Sequence, residues 1–102
     1  MDKTLRVYLE EAFDKFIREP KEYEKAYSIL LRMQGIEPNL DAILSFISGY
    51  MYGCMIAYYI FTYDRKPTPE EDRAFHELMK RRAWELRQAF IATRIEEPSE
   101  EE

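Results

Sequence analysis

One cysteine, one histidine, one tryptophan and three glycines are all that this 102-residue chain holds of those residue types. A lone Cys54 excludes an intramolecular disulfide, and its place between Gly53 and Met55 suits a small buried hydrophobe better than a reactive thiol. A reducing, cytoplasmic setting is therefore expected. His76 has Asp72 four residues before it on one helical face, yet no second His and no neighbouring Cys completes a zinc set, so no metal is expected. Glycine is too sparse for a phosphate-cradling loop, and Cys54 has no charged neighbour in sequence to lower its pKa. No catalytic residue is assigned, no cofactor is expected, and the chain reads as a non-enzyme. The opening Met-Asp-Lys-Thr-Leu-Arg begins an amphipathic pattern, so no secretory signal is read there.

Excess charge of one sign is also missing from the body. The net charge of −5 arises beyond Ile95, where five of the 20 acidic residues lie, leaving 15 acids against 15 bases. Such a balance argues against nucleic-acid binding through bulk electrostatics. Residues 1–95 are read as one domain and 96–102 as an acidic solvated tail.

The largest absence is local. From Ala42 to Tyr63 the chain runs 22 residues without a charge, although 34% of its residues are charged overall. The run holds five of the eight tyrosines, Cys54, and Gly49 and Gly53. Its length would span a bilayer's hydrocarbon layer at about 1.5 Å per residue. Two features favour a soluble reading. Tyr50, Tyr52, Tyr58 and Tyr59 spread through its middle instead of marking its ends. The other helices, moreover, need an apolar surface to cover.

Those other helices announce themselves by period. Leu5, Tyr8, Leu9, Ala12, Phe13 and Phe16 recur at three- and four-residue steps, predicting a helix from Lys3 to Arg18. Pro20 suits a first turn and restarts the chain as a second helix to Gln34, with Tyr23, Ala26, Tyr27, Leu30 and Met33 inward and Gly35 as cap. Asn39 or Asp41 caps the uncharged third helix. Thr68-Pro69-Glu70-Glu71 predicts a capping box opening a fourth helix that persists to about Ile95. Phe75, Leu78, Met79, Leu86, Ala89, Phe90 and Thr93 define its inward side, where Arg82 needs an acidic partner if buried. No stretch alternates at strand length. The predicted fold is all-α, a four-helix bundle-like domain with an apolar central third helix.

Three groups are candidate sites. Ser45, Gly49, Gly53 and Ala57 repeat every four residues and form a small-residue groove, read as a close helix-packing surface or a dimer seam. Arg73, Lys80, Arg87 and Arg94 recur at seven-residue steps with Trp84 and Ile91 among them, a candidate partner surface. Tyr52, Tyr59 and Tyr63 share similar bearings and form a candidate pocket. The favoured reading is a protein-protein interaction module that self-associates and binds another protein. A single-pass membrane protein with residues 42–63 spanning, and a small molecule binder, are the alternatives.

One Asn and two Gln among abundant Glu, Lys and Arg also match the composition of heat-adapted proteins. The expected melting midpoint lies above the roughly 45–65 °C of mesophile domains. A thermal scan by circular dichroism checks this, and a midpoint inside that range removes the inference.

Overall fold

Four helices account for nearly all of the fold in the computed structural model, which describes residues 1–96. They are α1 (Lys3–Arg18), α2 (Pro20–Met33), α3 (Leu40–Tyr63) and α4 (Pro69–Glu96), with no strand among the described residues. The chain is an all-α bundle-like domain, and its third helix is the apolar one. Residues 97–102, most of the predicted acidic tail, lie outside the described residues.

Each helix boundary has a local cause. Asp2 caps α1 by accepting a hydrogen bond from the Leu5 amide at 3.1 Å. A single residue, Glu19, separates α1 from α2, and Pro20 takes the first helical position, where its missing N–H costs nothing. At the end of α2, Gly35 adopts φ +76°. Its amide donates to the Arg32 carbonyl at 3.0 Å and the Ile36 amide to that of Leu31 at 2.9 Å, the paired bonds of a Schellman turn. Asn39, of the two candidates, caps α3 by accepting from the Ala42 amide at 2.9 Å. The capping box of α4 forms reciprocally, the Thr68 amide donating to Glu71 Oε1 at 2.8 Å and the Glu71 amide to Thr68 Oγ1 at 3.2 Å.

The core is built from one stripe per helix. Leu5, Leu9, Phe13 and Phe16 of α1 are buried, as are Ile43, Ile47, Met51, Met55 and Tyr59 of α3 and Phe75, Leu78, Leu86, Phe90 and Thr93 of α4. The sequence-predicted α2 stripe is displaced. Tyr23 and Tyr27 are half-buried as its inner edge, but Leu31 is the buried residue, while Ala26, Leu30 and Met33 face out. Adjacent Leu30 and Leu31 are equally apolar, so periodicity alone could not choose between them.

Arg82 finds its partners on α1. Its side chain is only 13% exposed and donates to Glu10 Oε1 at 2.6 Å and Asp14 Oδ1 at 2.7 Å, as well as to Glu85 Oε1 on its own helix at 3.0 Å. The guanidinium also lies 5.4 Å from the centroid of the Phe13 ring. Burial works against its charge, but the bonds to Asp14 and Glu10 outweigh that and hold its pKa above the ordinary arginine value.

The molecule is flat, with principal extents of 53 × 27 × 17 Å. Its thin dimension is under two helix diameters, at about 10 Å each, so α3 is covered along one side and left bare on the other.

Two outcomes are expected. Arg82→Ala leaves Asp14 without its ion-pair partner and Glu10 with Arg81 alone, and lowers stability by about 1–2 kcal/mol in urea denaturation, whereas Arg81→Ala, half-exposed on Glu10, changes it by less than about 0.5 kcal/mol. The second concerns acid. The Glu71 carboxylate is held down to about 2 by Arg65 first and then by the Thr68 amide. Because the folded value lies below the unfolded one, its contribution is full above the ordinary carboxylate range and is lost as pH falls towards 2. Glu71→Gln should therefore flatten the acid limb of a stability-versus-pH curve, and an unchanged limb would count against the assignment.

Candidate interaction surfaces

Because the buried row of α3 steps every four residues, the opposite side of the helix carries Ser45, Gly49, Gly53, Ala57 and the exposed Phe61, with Tyr52, Ile56 and Ile60 along one flank. Ser45, Gly49, Tyr52, Gly53 and Ile60 are exposed, Ile56 and Ala57 half-buried. A Cβ placed on Gly49 or Gly53 would meet nothing within 4 Å. The close-packing reading of the groove within the chain is therefore corrected: among the described residues, no neighbouring helix approaches Gly49 or Gly53. Glycine inside a helix costs roughly 0.5–1 kcal/mol relative to alanine, and no contact among the described residues requires it at either position.

The seven-residue cationic strip of α4 divides in two. Arg87 Nη2 reaches Asp41 Oδ1 on α3 at 3.2 Å, and Arg94 Nη2 reaches Glu24 Oε1 on α2 at 2.6 Å and the Pro38 carbonyl at 3.1 Å. These two arginines tie α4 to its neighbours. Arg73 and Lys80 are exposed and make no ion pair among the described residues, and Trp84 is 70% exposed beside them, with Ile91 half-buried.

Tyr52, Tyr59 and Tyr63 do not line a common pocket. Tyr59 is fully buried, and Tyr63 stacks on it with centroids 5.7 Å apart. Arg65 lies over both rings at 5.3 and 5.4 Å, and the Tyr58 and Tyr63 hydroxyls both donate to the Asp2 carboxylate. The bond from Tyr63 is the main cause that lowers the Asp2 pKa, and it pushes the Tyr63 phenol up to about 12. Tyr52 stands apart, its ring 5.5 Å from that of Phe75 and its hydroxyl 3.4 Å from Asp72 Oδ1. The three share a bearing, but α4 and Asp2 claim them separately.

A different set of tyrosines surrounds open space. Tyr8, Glu11, Ala12, Lys15 and Phe16 of α1, Tyr23 and Tyr27 of α2, and Tyr50 of α3 line a cavity of about 290 Å³. The Tyr8 hydroxyl lies 3.9 Å from Cys54 Sγ at its margin. Hydrogen bonding with Cys54 and then Tyr8 drives the Tyr50 phenol well above the ordinary range, and burial raises that of Tyr27. Each of these tyrosines sits at the edge of its helix's apolar stripe. That shared marginal position was the available signal, and it becomes a site only once the helices are assembled. Ile29, Leu30, Met33 and Ile36 form a further exposed apolar patch at the end of α2.

No group of three or more His, Cys, Asp and Glu side chains among the described residues is arranged to hold a metal ion. No protein-family model matches the chain, and neither curated proteins nor solved structures show a significant similarity to it.

Proposed function

We propose that this chain is a non-enzymatic protein-protein interaction module that pairs with a second copy of itself through the bare side of α3. The carrying observation is the combination on that side of an uncharged, exposed surface with two helix-interior glycines that nothing inside the chain explains. An uncharged face has no attraction for a charged partner surface but suits another uncharged one. The groove at Gly49 and Gly53 lies beside the bulkier Ile56 and Ile60, so a two-fold axis can set the ridge of each copy against the groove of the other. With α3 about 36 Å long and a helix about 10 Å across, two such faces cover on the order of 700 Å² in total, the size of a weak interface whose pairing depends on concentration.

A bilayer span is the competing use of the same face. Within the folded bundle it conflicts with α1 and α4, which lie against α3 and carry the Arg82, Glu10 and Asp14 network. Lipid could surround α3 only if those helices left it, exposing its buried row and theirs. The outward Trp84, with Arg73 and Lys80, supplies a separate surface for another, acidic protein.

The experiment is light scattering on the eluting protein across a concentration series without detergent, comparing the native chain with Gly53→Leu. A native mass of twice 12.3 kDa is expected, with Gly53→Leu monomeric and melting no lower than the parent. A native chain that is monomeric throughout, or a variant that still dimerises, overturns the proposal. Recovery only in detergent would put the membrane reading in its place.

A further inference from the structure

The tyrosine-lined cavity sits apart from the bare face of α3 and has its own chemistry. Around Phe16, the rings of Tyr23, Tyr27 and Tyr50 lie with centroids at 4.5, 6.3 and 6.2 Å and planes at 61°, 53° and 88°. Rings set at such angles form walls rather than a stack. A flat ligand finds no parallel pair of faces to enter, whereas a compact, rounded group can touch several rings at once. Every aromatic face carries the negative side of a quadrupole, and a cation within about 6 Å of the centroid is attracted to it.

Elsewhere the chain fills such positions from its own sequence, with Arg65 over Tyr59 and Tyr63 and Arg82 over Phe13. No lysine or arginine among the described residues lies over the rings of this cavity. Glu11 lines it and makes no ion pair among the described residues, so one negative charge stands at an aromatic box that has no cation over its rings. Lys15, one turn further along α1, also lines the cavity and opposes a cation there. The volume of about 290 Å³ is at the small end for ligand sites, which limits the guest to a few heavy atoms.

We infer that this cavity binds a small organic cation of the methylated-ammonium class, enclosed by Phe16, Tyr23, Tyr27 and Tyr50 with Glu11 as counter-charge. Methyl groups spread the positive charge over an apolar surface, which lowers the cost of leaving water and fits a wall of rings. Tyr8 and Tyr50 are each nearly half exposed, so the site is open to solvent and the affinity belongs in the millimolar range.

Choline titrated into the full chain at constant chloride, followed by tyrosine side-chain NMR shifts, tests this. Its neutral isostere 3,3-dimethylbutan-1-ol provides the control. Choline should shift the cavity tyrosines and bind about tenfold more tightly than the isostere. Glu11→Gln should weaken binding a few-fold and Lys15→Met strengthen it by a similar factor, both at exposed positions where the fold is preserved. Tyr50→Leu should weaken it by about tenfold with the helical circular dichroism unchanged. Equal binding of the isostere overturns the cationic assignment. Absence of any shift into the tens of millimolar, or binding indifferent to both Glu11→Gln and Tyr50→Leu, overturns the site.

Discussion

The longest unbroken line of buried side chains in the bundle lies on α3, while α4 is the helix that packs most extensively on its neighbours. Ile43, Ile47, Met51, Met55 and Tyr59 are each fully buried and follow one another at four-residue steps. An α-helix turns through about 100° per residue, so each step advances the row by about 40° and the buried line winds slowly round the helix. Helices packed along such a row cross it obliquely, which keeps the core continuous along the length of α3.

Polar contacts then fix what the apolar row leaves adjustable. Three arginines of α4 each take a different neighbour: Arg82 engages α1, Arg87 engages α3 and Arg94 engages α2. Apolar burial alone permits one helix to slide by a turn along another, because successive turns offer similar surfaces. A guanidinium paired to a carboxylate at a stated position does not permit it. The exposed pairs add little stability individually, so their effect is on register; Arg82 is shielded enough to contribute to both.

How much of this was legible in the residues depended on contrast. The stripes of α1 and α4 stand out because charged residues occupy the other faces, and the capping box of α4 is a purely local signal, so both were readable. In α3 nothing charged marks the outer side, and an all-round apolar helix gives no clue to which row is buried. The placement of Ser45, Gly49, Gly53 and Ala57 outside the core was therefore not readable. Arg82 announced its need for an acid, but Glu10 and Asp14 lie about 70 residues away in sequence and nothing local connects them. Tyr8, Tyr23, Tyr27 and Tyr50 each look like ordinary stripe margins, and their convergence is a product of three helices meeting.

Gly49 and Gly53 turn these points into a constraint on what the chain is for. A helix interior is a poor place for glycine, which surrenders backbone freedom there without contributing side-chain contact. Close approach of a second backbone is the usual compensation, and inside this chain none approaches. Bulkier side chains at these two positions would cover more of the bare face with apolar surface and strengthen the helix, yet they would also fill the recess there. A recess at Gly49 and Gly53, on the exposed side of α3, is of no use to an isolated bundle in water, where it only adds to the apolar area left wet. On the reading proposed above, its counterpart is a second copy, whose uncharged face would supply both the ridge and the groove that such a contact needs.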